Sequence, residues 1–483
     1  MRYYLKIDIG GKQNYIFSSN KLKEIIGASF IMKDGVLGGE VLKSFLAKEE
    51  SKGILEYSGG GNALLSFNNE EKRESFISAY SLDMLKKYPG IQLEFGCAEG
   101  DPSKWEAISK SLNKNLVKNK NSLYSQSRPM KHGIAVDCPL SGEGQETLKK
   151  VDGKLQWISK ESATKLSANE PYKCSLTNYK YASEFDEIGG NHEKSYIGIV
   201  HIDGNGLGSK FAKCKSLNEV KKLSDEVKHK LDSCLVKIDN YLVEIKDTLG
   251  LEFAEQDGYQ LLPFRPIINA GDDITFVCRG EHALAITEKY MDVLNSDADV
   301  DGNLSLSIPN CAGVAIVNTK YPFLRAYSLA EELASEAKTR SRVSKDDKRN
   351  GENHKSSCWI NFMIAGTGYT GDYDEMIKNY YPDYEKPKVR GPYELHNGEM
   401  SLDHLKSVLL NMKEKKWPNN KLQEIKSLLT KSDAEKDLFV EQMKARDLTM
   451  DKKFDEFPYR DMIDLIHFYP PQLLKTKTDG IKA

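Results

Sequence analysis

Hydrophobic and polar positions along the chain group into short elements in a recurring order. Tyr3 to Ile9 reads as a strand, Gly10-Gly11 as a turn, and a helical run follows from about Lys21 to Leu46. Two short strands, Ile54 to Ser58 and Ala63 to Phe67, flank Gly59-Gly60-Gly61-Asn62, hairpin chemistry in which glycine reaches φ > 0 without penalty. A helix from about Glu70 to Lys87, a strand near Ile91 to Cys97, a Lys-rich helix near Ser103 to Val117 and a strand near Gly133 to Asp137 follow. Strand, helix, hairpin, helix, strand is the order of a ferredoxin-like or palm-type α+β unit.

The same order then returns with different residues, which predicts an internal duplication. A strand, Tyr196 to Ile202, leads into Asp203-Gly204-Asn205-Gly206, and an amphipathic helix runs from about Leu217 to Leu249. A hairpin pairs Phe264 to Asn269 with Ile274 to Cys278 across Ala270-Gly271-Asp272-Asp273. A helix (about His282 to Leu294), a strand (Cys311 to Val317), a helix (about Leu324 to Arg342) and a strand (Trp359 to Ile364) close the unit. The expected architecture is α+β: a palm over residues 1–140, a polar connector over 141–190 with one helical stretch at Ser159 to Leu166, and a second palm over 191–366. Residues 367–483 should form a helical domain, since Leu402 to Met412, Lys421 to Leu429 and Ala434 to Met443 show helical periodicity.

Composition narrows the function classes. The 483 residues include 69 Lys+Arg against 71 Asp+Glu, a net charge of -2, so the bulk field would not hold nucleic acid by counterion release. Apolar runs fall far short of the ~20 residues of a membrane span, and the N-terminus reads as a strand and not a signal peptide. A cytoplasmic protein without a membrane partner is expected. The 8 cysteines are scattered with no C-x-x-C, which signals neither a disulfide framework nor a zinc knuckle.

Candidate chemistry gathers in the second unit. Asp203 ends an apolar strand, and Asp272 and Asp273 sit at a hairpin tip, so three carboxylates should converge at one sheet edge. Such acids raise one another's pKa unless cations lie between them. Two divalent ions shared by the three would suit phosphoryl or nucleotidyl transfer, with Gly204 and Gly271 letting phosphates approach closely. Gly-Asp-Asp alone is also ordinary turn chemistry; its place between two apolar strands favours the functional reading. Lys338 and Arg342, four apart on a helix, project from one face and suit a phosphate clasp, the alternative being a solvated basic face. His201 shares a strand face with Asp203 but reads better as structural. Lys104, Lys110, Lys114, Lys118, Lys120, Arg128 and Lys131 form a basic stretch suited to RNA or simply to water, and tyrosines from Tyr369 to Tyr393 suit base stacking or domain packing equally.

At these residues the chain resembles the large, cyclase-bearing subunit of type III CRISPR effector complexes, a family with two palms related to the GGDEF nucleotide cyclases. The resemblance runs from Gly10-Gly11-Lys12-Gln13-Asn14-Tyr15-Ile16-Phe17 through the first hairpin, the strand-Asp unit at Asp203 and the GGDD-like Ala270-Gly271-Asp272-Asp273 to Lys338. It implies that the second palm binds ATP and two Mg²⁺ or Mn²⁺ and links adenylates into cyclic oligonucleotides. Asp203, Asp272 and Asp273 would be the metal ligands, Gly271 the signature turn, and Lys338 and Arg342 the counterpart of the relatives' Lys-x-x-x-Arg clasp. The first palm has Gly60-Gly61-Asn62 where acids would be required, which implies a silent scaffold. No His-Asp dipeptide marks the nuclease domain of many members, so a stand-alone form is expected. Phe211 and Val220 fall where diguanylate cyclases read guanine, which favours ATP.

The expectation is therefore a metal-dependent cyclase making cyclic oligoadenylate or cyclic dinucleotide messengers in antiviral defence, with ATP as substrate and RNA or a defence effector protein as partner. Two facing nucleotides require either a homodimer or the two palms of one chain, and the degenerate first palm favours the latter. The rival is a non-catalytic nucleotide- or RNA-binding subunit. A polymerase yielding linear products shares the same acids.

Overall fold

The computed structural model describes residues 1–122, 136–190, 195–298, 302, 305–346, 357–365, 373–381, 389–396, 398–448, 450, 453–454 and 456–474. The first unit opens with β1 (Arg2–Gly10) and three short helices, α1 (Lys12–Phe17), α2 (Leu22–Phe30) and α3 (Gly39–Leu46). The single helix expected from Lys21 to Leu46 is thus corrected to broken pieces: Ile31–Val36 winds as a π-helix, and Gly38, a poor helix former, is extended before α3. The hairpin of β2 (Gly53–Gly59) and β3 (Asn62–Phe67), then α4 (Glu70–Lys87), β4 (Gln92–Gly100) and α5 (Trp105–Lys120), complete it. All four strands are antiparallel, in the order β2-β3-β1-β4. The strand expected near Gly133 to Asp137 lies largely outside the described residues, as do Arg128 and Lys131; Asp137 makes one isolated bridge to Gly144.

The connector holds more structure than its polarity suggested. β5 (Thr147–Val151) and β6 (Lys154–Ile158) form a hairpin, followed by α6 (Lys160–Ser167), β7 (Tyr179–Tyr181) and α7 (Phe185–Gly189). Lysines at 149, 150 and 154 mask the alternation, and of the two strands only Val151 and Ile158 enter a small core with Cys138.

The second unit runs β8 (Tyr196–Gly204), α8 (Leu207–Ala212), the long α9 (Leu217–Leu249), and the short β9 (Glu255–Gln256) and β10 (Tyr259–Leu262). Its hairpin is β11 (Phe264–Ala270) and β12 (Asp273–Arg279), followed by α10 (Ala283–Asn295), β13 (Asn310–Asn318), α11 (Phe323–Asp346) and β14 (Trp359–Ala365). After α12 (Tyr373–Tyr380), β15 (Tyr393–Glu394) adds an edge, giving the order β11-β12-β8-β13-β14-β15. The sheet therefore draws in residues beyond 366, where the sequence pattern ended the second palm. Its first four strands repeat the first sheet: outer hairpin strand, inner hairpin strand, entry strand, last strand. Two palms of one topology are followed by the helices α13 (Leu402–Glu414), α14 (Asn419–Leu428), α15 (Asp433–Lys444) and α16 (Tyr459–Phe468).

The tyrosine-rich segment is packing where it is described. Tyr380, Tyr381 and Tyr393 are buried, and Asp461 of α16 accepts the hydroxyls of Tyr381 at 2.6 Å and Tyr393 at 2.5 Å. Tyr369 and Tyr384 lie outside the described residues. One hydrophobic core joins the second palm to the C-terminal helices, and a second spans both palms, where Phe17 stacks on Tyr327 with ring centroids 4.0 Å apart. Among the described residues no helix is long and apolar enough to cross a membrane.

Candidate functional site at the palm seam

Strand register builds the site. Asp203 is the penultimate residue of β8, Asp273 is the first of β12, and the antiparallel pairing sets them directly opposite each other. Opposed residues share a face, so the two carboxylates project together. Asp272 precedes β12 in a turn where Gly271 adopts φ 68°, and its carbonyl accepts the Gly204 amide at 2.8 Å. That bond ties the turn to the end of β8 and holds the third carboxylate at the same edge.

The electrostatics follow from this crowding. Enclosure by protein, then the charges of Asp272 and Asp203, push the Asp273 carboxyl up to about 6, with Lys12 opposing. The residue as a whole is nonetheless exposed to solvent. Lys338 of α11 donates its ammonium to Asp203 Oδ2, so this lysine is brought to the carboxylates. Arg342, one turn on, is exposed, and among the described residues no ion pair joins it to them. His201 is buried, within 3.3 Å of Thr275 Oγ1 and edge-on to Tyr327, and burial lowers its pKa. It is a structural histidine under α11.

The first palm carries a counterpart that the sequence reading missed. Asp8 of β1 lies opposite Asn62 of β3, as Asp203 lies opposite Asp273, and opposite Glu94 of β4 on its other side. Lys120, the sixteenth residue of α5, donates to Asp8 Oδ2 at 2.6 Å, as Lys338, the sixteenth of α11, donates to Asp203. Gly11 and Gly206, each three residues past its aspartate, both take left-handed backbone (φ 60° and 83°) and start a six-residue helix. The spacing Asp-x-x-Gly was the available signal. Lys12 then stands where the second palm places the buried Leu207, and it pairs with Asp8 at 2.7 Å. Burial raises the Asp8 carboxyl, but Lys12 and Lys120 outweigh it and hold it below the usual carboxylate range.

The two hairpin tips meet. A Cβ on Gly271 would stand a tight 3.1 Å from the Gly60 Cα, and the left-handed backbone at both residues (φ 68° and 59°) favours glycine on each side. Gln13 clamps the seam by donating to Tyr327 Oη at 2.9 Å and Glu331 Oε1 at 2.7 Å, and Lys221 of α9 pairs with Glu56 of β2 at 2.6 Å. A cleft of about 860 Å³ opens instead at the other end of β8, lined by Phe185, Phe253, Arg279 and Tyr321, and shares no residue with the carboxylates. A separate group, Glu288, His396 and Asp403, has metal-ligand spacing, but Lys406 already bridges its two acids at 2.7 and 2.8 Å. Among the described residues of the basic stretch, Lys110 pairs with Glu106 on the solvent side of α5, and only Lys120 turns toward a carboxylate site.

No protein-family model and no curated protein matches the sequence. Solved structures do share its fold. The Csm1-Csm4 subcomplex of the type III-A CRISPR-Csm interference complex matches with a TM-score of 0.52 at 13% identity, over 98% of this chain and 70% of that one. The Csm1-Csm4 cassette in complex with one ATP gives 0.51 at 13%, over 98% and 70%, and the cassette with AMPPNP gives 0.51 at 13%, over 96% and 70%. From two duplicated palms to a helical C-terminal region, the chain has the fold of the Csm1 subunit of type III-A CRISPR-Csm complexes.

Proposed function

We propose that the second palm is a metal-dependent nucleotidyltransferase that converts ATP into cyclic oligoadenylate or cyclic dinucleotide messengers in CRISPR-like defence. The observation that carries this reading is the register that opposes Asp203 to Asp273 and ties Asp272 beside them at the seam with the first palm. The donor set is all hard oxygen, and burial together with the charges of Asp272 and Asp203 disfavours ionised Asp273, a cost that a cation would relieve, so these residues fit Mg²⁺ or Mn²⁺. Asp203, Asp272 and Asp273 would hold the ions, which when bound supply activation of a ribose hydroxyl and neutralise the triphosphate. The hydroxyl gives its proton to solvent as its oxygen bonds to the α-phosphorus of a second ATP, the bond from that phosphorus to the oxygen bridging to the β-phosphate breaks, and pyrophosphate leaves. Lys338 moves from Asp203 to the phosphates, Arg342 joins it as the triphosphate arrives, and Gly204 and Gly271 leave room for them. Two palms in one chain provide two facing sites without a homodimer. The structural neighbours that carry ATP and AMPPNP, and their pairing with Csm4, support ATP as ligand and a small effector subunit as partner.

The test is incubation of the protein with ATP and Mg²⁺ or Mn²⁺, with and without RNA, beside Asp272→Ala/Asp273→Ala. Phosphatase-resistant adenylate rings seen by mass spectrometry only with the unsubstituted protein are expected. One observation favours a second reading, a nucleotide-binding subunit without turnover: the Lys338 ammonium already sits on Asp203. ATP binding that needs no metal and releases no pyrophosphate under any of these conditions would establish it.

A further inference from the structure

We propose that Lys12 of the first palm is a substrate-contacting residue, whose ammonium crosses the seam to the phosphates of the nucleotide held by the second palm. This rests on the nucleotidyltransferase reading. Two observations point the same way. The hairpin tips touch at Gly60 and Gly271, which brings the first palm's β1 end beside the second palm's acidic turn. The Lys12 Nζ lies over its own palm's turn, 2.7 Å from where a Cβ on Gly61 would stand, so glycine there keeps the ammonium at the seam.

At the equivalent place the second palm puts Leu207, buried in its core, so a lysine here is particular to the first palm. Lys12 shares Asp8 with Lys120, which is 2.6 Å from Asp8 and 3.3 Å from Glu94, and the Lys12 side chain keeps 35% of its surface exposed. Gln13, the next residue, is hydrogen-bonded to Tyr327 and Glu331 of α11, so the start of α1 cannot drift from the second palm. Lys12 is thus a mobile cation on a fixed base. Asp8 parks it, and a triphosphate, with more charge, draws it off.

The experiment is calorimetric binding of ATP with Mg²⁺, and of adenosine, to the unsubstituted protein, Lys12→Met, Lys12→Arg and Asp8→Asn. Losing one charge-assisted phosphate contact should weaken ATP about tenfold in Lys12→Met, leave adenosine within about twofold, and be restored by Lys12→Arg. Asp8→Asn frees the lysine and should tighten ATP. If Lys12 serves only as a counterion for Asp8, Lys12→Met binds ATP as the unsubstituted protein does, or both variants weaken ATP and adenosine alike; either overturns the assignment. Failure of the unsubstituted protein to bind ATP would instead overturn the nucleotidyltransferase reading, and this assignment with it.

Discussion

The two palms use one backbone device with opposite charge balance. Each places an aspartate near the end of its entry strand, follows it three residues on with a left-handed glycine and a six-residue helix, and sends a lysine from the sixteenth position of its last helix onto that aspartate. In the first palm, Asp8 and Glu94 meet Lys12 and Lys120, so two negative charges face two positive ones. In the second, Lys338 is the one lysine ion-paired to Asp203, Asp272 or Asp273 among the described residues, with the charge of Lys12 reaching Asp273 from the first palm. The first site carries its own cations, and the proposed function has the second import them. On that proposal, this deficit, more than the turn sequence, would separate a silent palm from an active one.

Substitution of the matched aspartates breaks the comparison most sharply. Asp203→Asn removes a ligand that a neutral amide cannot replace for a divalent ion, and turnover should fall by ~10³-fold, read as pyrophosphate release. Asp8→Asn should change turnover by less than about tenfold, because its carboxylate contacts lysines and not reacting atoms. Equal losses at both positions would mean that both palms are chemically active.

The seam between the palms is tested next. Phe17 is fully buried, stacks on Tyr327 and packs against Phe323 of the other palm. Phe17→Ala should cost about 3–5 kcal/mol of stability, measured by denaturant unfolding. A single shifted transition would show that the palms unfold together; two transitions would show that each holds its own core.

How far the sequence reaches can be judged on the same two palms. Both hairpins, α4, α9, α11 and all four strands of the second palm's repeat were legible, because apolar stretches of sharply different period stand between Gly and Asp turns. Asp203, Asp272 and Asp273 were legible for the same reason, since each sits where an apolar strand ends. Asp8 was not. It lies within Tyr3 to Ile9, where a polar residue reads as the solvent face of a strand, and only pairing with β3 and β4 reveals its neighbours. Lys120 read as one of a run of lysines, and only the length of α5 carries it to Asp8. The clasp was half legible: helical spacing put Lys338 and Arg342 on one face, but side-chain reach brings only the lysine to the acids. The π-turn that breaks the first long helix and the Lys-rich hairpin in the connector were hidden by ordinary helical and polar composition.

The opposite charge balance predicts opposite pH slopes. Asp273 in the folded, metal-free chain holds its proton up to about 6, while an unfolded aspartate releases it near 3.8. Between those values the folded state binds more protons, so this group's contribution to stability falls as pH rises. Asp8 is depressed instead, so its contribution is present above the unfolded value and is lost as pH falls through the folded one. Thermal melts in a chelator from about pH 2 to pH 8 cover both windows and should show Asp273→Asn gaining at the upper end, by about 1 kcal/mol or less since the residue is exposed to solvent. Added Mg²⁺ should erase that advantage by stabilising the unsubstituted protein. Slopes of the same sign for the two aspartates would end the contrast drawn here.

The smallest expected effect is the coupling between Asp8 and Lys120. Both side chains reach solvent, at 14% and 38% exposure, so a double-mutant cycle of Asp8→Asn and Lys120→Met should return about 0.2–1 kcal/mol. In the second palm the same cycle, Asp203→Asn with Lys338→Met, should depend on the metal. Without it, the pair is the same exposed ion pair and the coupling is of the same size. With Mg²⁺ and ATP present, Lys338 leaves for the phosphates and the coupling in stability should shrink toward zero, while the first palm's value stays fixed. A lysine that remains on Asp203 under those conditions would make the second palm a copy of the first, cation-filled from within, and would move the chain from synthesis of messengers to nucleotide sensing.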